Sequence, residues 1–192
     1  GIRSDDLTAS IIKDLMDRNP QLPKEKIEDL VVGCAFPEGP QGMLMAKGIS
    51  ILADLPIGSA AKVVNRFCGS SMDSLHQVSQ AISAGDYGCG IAAGVEDMFG
   101  VPMGGFNPSF NPVLYENDYY IGMGETAENL AKELNINRQD QEKFAIESHN
   151  KALTAISESR FDNEIVRVEF NGNIVSIDEG PRKPDLEKIK SL

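Results

Sequence analysis

The chain has 192 residues, 41% hydrophobic and 24% charged, enough apolar material for a buried core in one domain or a domain with a subdomain. A net charge of −11 with no cluster of Lys and Arg argues against nucleic acid as a partner. No apolar run reaches membrane-spanning length, no signal-peptide layout opens the chain, and Cys34, Cys68 and Cys89 lack metal-ligand or redox-motif spacing. A soluble protein in reducing, cytoplasmic surroundings is expected, with no metal and no membrane span.

In chain order, Leu7, Ile11, Ile12, Leu15 and Met16 recur at helical period behind Ser4, read as the N-cap, and Pro20 and Pro23 close the segment. LVVGCAF, residues 30–36, is a short continuous apolar run suited to a buried parallel strand. Leu44, Met45, Ile49, Ile51 and Leu52 make a second helix, stopped at Pro56. KVVNRF is a second buried strand, followed by a helix over 69–84 with Met72, Leu75, Val78 and Ile82 as its apolar stripe. CGIAAGVEDM is a third buried strand, whose glycines suit close packing of helices or a partner.

From Phe99 to Tyr120 the composition turns to Gly, Pro, Asn and Tyr, which reads as a functional loop region. Helices are expected over 125–134 and, capped by Asn137, over 138–159. FDNEIVRVEF and NIVSID read as a hairpin turning at Asn171, Gly172 and Asn173. The alternation implies an α/β layered sheet flanked by helices, with a nucleophile-bearing core over 1–97 and an α-rich loop subdomain over 98–192.

Cys68 ends a strand-like segment and heads a helix-like one. A thiol there meets the positive end of the helix macrodipole and backbone N–H groups, which stabilise a thiolate and can receive an oxyanion. Gly69, Ser70 and Ser71 leave room for a substrate. The competing reading of Cys68, a small buried hydrophobe, has about even weight on spacing alone.

The run VNRFCGSSMDSLHQ resembles the nucleophile segment of the thiolases, Val-Asn-Arg, a variable residue, Cys, then small residues leading into a helix. GCAFPEGPQGMLMAKGISILADLP is similar to the segment before that strand, AAGVEDM to the Gly-Gly-Val-Glu-Ser-Met segment after it, and IGMGETAENLA to the Met-Gly-x-Thr-Ala-Glu-Asn segment. RQDQEKFAIESHNKA, FDNEIVRVE and DEGPRKPDLEKIKSL continue the likeness in order, so it covers nearly the whole chain.

The resemblance implies a thiolase-like fold and a reaction on acyl groups carried by coenzyme A, with CoA as substrate and no cofactor. Cys68 takes the place of the nucleophile and Gly69 of its helix start. Met123, between Gly122 and Gly124, takes the place of a residue lining the acyl and pantetheine tunnel, and Glu96 of one that supports the site by hydrogen bonding. Gly122 stands where many short-chain members have histidine, and NRFCGSSM with His76 looks closer to the degradative 3-ketoacyl-CoA thiolases. A homo-oligomer, dimer or tetramer, is implied.

The family's Gly-His-Pro, Asn-Glu-Ala-Phe and Cys-x-Gly motifs occur nowhere between Gly1 and Leu192. The chain therefore reads as a fragment without the C-terminal thiolase domain, expected to be inactive alone. Its first family strand, expected at the middle of the sheet, also has no counterpart. A thiolase-like, non-catalytic acyl-CoA or lipid-binding protein is the alternative. A ketosynthase-type enzyme shares the cysteine-led helix but not IGMGETAEN.

His76 falls about two helical turns beyond Cys68 and reads as a packed or interface residue. His149 reads as solvated, as do the charges of Arg3, Arg182 and Lys183. Cys34 and Cys89 read as structural, Met98, Met103 and Met123 as candidates for an acyl pocket, and Met43, Met45 and Met72 as core.

Overall fold

The computed structural model describes residues 1–191. The chain divides into two compact units, the first Gly1–Pro108 and the second beginning at Ser109. Residues 98–108 belong to the first unit, so the break falls later than residue 97. Val101 is buried at 1% exposure, and the Phe106 N–H donates to Glu38 Oε2 at 2.8 Å.

In the first unit the order is α1 (Ser4–Asp17), β1 (Asp29–Gly33), α2 (Met45–Leu52), β2 (Ala60–Val64), α3 (Ser70–Ala84) and β3 (Gly90–Gly94). The strands form a parallel sheet in the order β2-β1-β3, with Leu30 opposite Ala61 on one side and Ile91 on the other. β1 is paired along both edges, so it fills the middle itself. A further strand can join this sheet only outside β2 or β3, which corrects the expectation of a missing middle strand.

Strand alternation explains the continuous apolar run of β1. Leu30, Val32 and Cys34 point into the cluster of Ala9, Ile12, Met45, Ala46 and Ile49 from α1 and α2. The intervening Gly33 meets Ser70 and Ser71 of α3. Leu30, Val31 and Val32 are all fully buried.

Of the stripe predicted on α3 only Val78 is buried. The buried residues of the helix are Ser70, Asp73, Ser74 and Val78, while Met72 is 75% and Leu75 61% exposed and Ile82 is also outward. The reason is close approach. Added Cβ atoms would overlap Ser70 and Ser71 at Gly33, and Ser71 at Gly94, and buried Ser74 donates through Oγ to Ala93 O at 2.9 Å. A face of small polar residues packs where a hydropathy pattern points elsewhere. Met43 is likewise fully exposed rather than core, whereas Met45 is buried. Arg3, not Ser4, occupies the N-cap of α1; Ser4 is its first helical residue and is buried.

The second unit holds α4 (Pro112–Glu116), α5 (Met123–Glu133), α6 (Arg138–Ser157), β4 (Val168–Phe170), β5 (Asn173–Val175) and α7 (Leu186–Ser191). Asn137 caps α6 as expected, its Oδ1 accepting the Asp140 N–H at 2.9 Å. The hairpin is shorter than predicted and turns on Asn171 (φ +50°) and Gly172 (φ +75°), the left-handed pair of a two-residue hairpin loop. The short helix α4 stands within the expected loop region, with Asn111 Oδ1 capping Val113 and Leu114. No sequence expectation covered α7. Among the described residues no helix is long and apolar enough to cross a membrane.

Candidate functional site

The carboxyl ends of the three strands carry the loops that build the site, as is general for parallel α/β sheets. After β2 the chain runs through Asn65 and Arg66 into a 3₁₀ turn, Phe67–Gly69, and then α3. Cys68 lies in that turn and is exposed, unlike Cys34, which is buried at 1% exposure. The buried-hydrophobe reading therefore fails for Cys68. Cys68 stands two positions before the first residue of the 15-residue helix α3.

The turn is held by side chains. Asn65 Oδ1 accepts the Phe67 N–H at 2.9 Å, and Asn65 Nδ2 donates to Ala35 O at 2.8 Å. Ser70 Oγ accepts the Arg66 N–H at 2.9 Å and donates to Phe67 O at 2.6 Å. Arg66 pairs with Asp73 at 3.5 Å, and Gln77 Nε2 donates to the same carboxylate at 3.0 Å. The Gly69 N–H donates to Arg66 O at 3.0 Å, so Gly69 contributes its small size and the turn rather than a free donor.

Glu96, after β3, knits the neighbouring loops together. Its carboxylate accepts the Ala35 N–H at 2.6 Å, the Phe36 N–H at 3.3 Å and Gln41 Nε2 at 2.9 Å. Gln41 is fully buried, and its Oε1 accepts the Asp97 N–H at 2.5 Å. Glu96→Ala is expected to lower the stability of the first unit by about 2 kcal/mol, since several N–H groups lose their acceptor. Urea unfolding measures this, and a change below about 0.5 kcal/mol would contradict the role assigned to the carboxylate.

Burial, with the Glu96 carboxylate beside it, pushes the Cys34 thiol from its ordinary 9.0 up to about 11. Iodoacetamide at about pH 8 is therefore expected to leave Cys34 unmodified in the folded chain while Cys68 reacts, as read by peptide mass spectrometry. The sign for stability follows from linkage. Between pH 9 and 11 the folded thiol keeps a proton that the unfolded one has lost, so stability falls as pH rises through this window, and Cys34→Ala should flatten that fall.

The remaining residues are placed plainly. His76 is exposed on α3 and packs against nothing that buries it. His149 is half-buried rather than solvated, its Nδ1 accepting the Arg182 N–H at 3.3 Å. Gly122, Met123 and Gly124 belong to the second unit, where Gly122 caps α5. Glu125 Oε2 accepts the Gly122 N–H at 3.0 Å, and Met123 is 70% exposed. Sequence reasoning missed Gln41 as an organiser; a lone glutamine among turn formers carries no pattern that marks it. Among the described residues no group of three or more His, Cys, Asp or Glu could hold a metal ion.

This is an α/β protein that displays one thiol at the carboxyl edge of a parallel sheet. The sequence matches the family described as "Thiolase, N-terminal domain" over residues 1–192. It is 40% identical over 182 residues to a 3-ketoacyl-CoA thiolase of Bacillus subtilis, covering 94% of this chain and 46% of that protein. It is 40% identical over 199 residues to one of Marinomonas sp., covering 100% and 51%, and 42% identical over 170 residues to one of Photobacterium profundum, covering 88% and 44%. The chain belongs to the thiolase family, and it spans about half the length of the curated relatives it matches.

Proposed function

We propose that this chain is the nucleophile-bearing half of an acyltransferase that cleaves a 3-ketoacyl-CoA with coenzyme A, giving acetyl-CoA and a shortened acyl-CoA. The observation that carries this reading is the exposed Cys68 thiol, held on a braced turn at the head of α3. The thiolate attacks the keto carbon, the carbon–carbon bond breaks, and acetyl-CoA leaves as an enolate that takes up a proton. A second CoA thiol then accepts the acyl group from Cys68. Covalent catalysis divides one difficult step into two.

CoA is a substrate in this scheme and no cofactor is needed. Gly122, Met123 and Gly124 would line the acyl and pantetheine path, the assembly would be a dimer or tetramer, and the setting cytoplasmic. The general base and second cysteine are expected outside residues 1–192, because a helix terminus supplies only part of the activation and no proton acceptor.

The test compares thiolysis of a 3-ketoacyl-CoA by the isolated chain and by the polypeptide that contains it. Turnover from the longer polypeptide and little from the isolated chain is the expected result. Ordinary thiolase rates from the isolated chain would refute the division of labour. Acyl-CoA binding by the longer polypeptide without any acylation of Cys68 would favour the non-catalytic reading.

A further inference from the structure

We propose that Asn65 is a positioning residue for Cys68, acting by holding Phe67 in the left-handed conformation that turns the thiol outward. The proposal rests on the reading of Cys68 as the nucleophile. Phe67, immediately before the cysteine, has φ +44°. A bulky residue with a Cβ rarely adopts that conformation, and it persists only where the surroundings over-determine it. Phe67 is 59% exposed and its ring makes a tilted contact with that of Phe36, centroids 5.8 Å apart, so burial does not do the holding.

The hydrogen bonds do. Ser70 braces the turn from within, bonding Arg66 N–H and Phe67 O. Asn65 alone of these two reaches outside it. One end of its amide takes the Phe67 N–H, and the other is tied to Ala35 O on the loop after β1. The same Ala35 is fixed through its N–H by Glu96, on the loop after β3. The loops following all three strands thus converge on the one residue that sets the direction of the Cys68 backbone. Asparagine suits the place because it offers an acceptor and a donor on one short side chain.

The test is the second-order rate of alkylation of Cys68 by iodoacetamide at about pH 7.5, with Cys89 as the in-chain reference. Asn65→Ala is expected to slow Cys68 at least about tenfold and leave Cys89 within about twofold, because a small misplacement of a reacting group is costly. The decisive arm places the same change in a Phe67→Gly background. Glycine adopts positive φ unaided, so there the loss should shrink to less than about threefold. A merely structural role for Asn65, tying down the Ala35 loop, would not be rescued by glycine at position 67.

A Cys68 rate in Asn65→Ala within about threefold of wild type overturns the proposal while leaving the nucleophile reading intact. So does a tenfold loss that persists in the glycine background. If Asn65→Ala loses its cooperative unfolding transition, the double variant against Phe67→Gly carries the test, with recovery supporting the proposal and failure overturning it. A wild-type Cys68 that reacts no faster than Cys89 overturns both readings.

Discussion

Substituting Cys68 by alanine is expected to lower thiolysis of a 3-ketoacyl-CoA at least about a thousandfold in the polypeptide that contains this chain, as loss of a covalent nucleophile does elsewhere. The side chain is exposed, so the fold should hardly notice the change. Its unfolding free energy should move by no more than about 0.5 kcal/mol, which separates lost chemistry from lost structure. CoA-dependent disappearance of the substrate measures the first and urea unfolding the second. A loss smaller than about tenfold would mean that acyl transfer does not pass through Cys68.

The second large effect is structural and sits beneath the first. Gly33→Ala is expected to destabilise the first unit by about 3 kcal/mol, at the upper end of what overpacking costs. The added methyl would overlap the backbone of Ser70 and Ser71 in α3, which no side-chain rotation can relieve. The helix must move away from β1, and it carries the Cys68 turn with it. Gly48→Ala is the control, since a Cβ at that position in α2 meets nothing within 4 Å and should stabilise by about 0.5–1 kcal/mol. Equal effects at Gly33 and Gly48 would show that the close approach is not what matters at Gly33.

Those two glycines show why the sequence could be read so far and no further. Strands were legible near 30–36, 62–67 and 89–98 from their continuous apolar runs, and the structure forms them over Asp29–Gly33, Ala60–Val64 and Gly90–Gly94; only β1 is buried throughout, whereas β2 has no buried residue and β3 has one, Ile91. The helices around them were legible from their period. The face that α3 buries was not. Met72, Leu75 and Ile82 point outward, Val78 alone of the stripe is buried, and serines lie against Gly33 and Gly94. Hydropathy measures how apolar a residue is, whereas this contact is governed by how small it is.

Cys68 stood out in the sequence because a strand–cysteine–helix pattern has a physical meaning, and the neighbouring segments named its family. The side chains that hold it carry no such meaning in the string. Asn65 stands in the Val-Asn-Arg run without a role attached to it, Gln41 and Ser70 are ordinary polar residues, and their roles arise from partners up to 56 positions away, as between Gln41 and Asp97. The sequence by itself determined most of the elements, the family and which cysteine stands between a strand and a helix, since each depends on local pattern. Only the tertiary structure decided that Cys68 is exposed while Cys34 is not, that α3 packs through its small residues, and that Phe67 is held in a conformation it would not choose. Those depend on which distant groups share a hydrogen bond or a van der Waals contact, and chain order does not encode that distance.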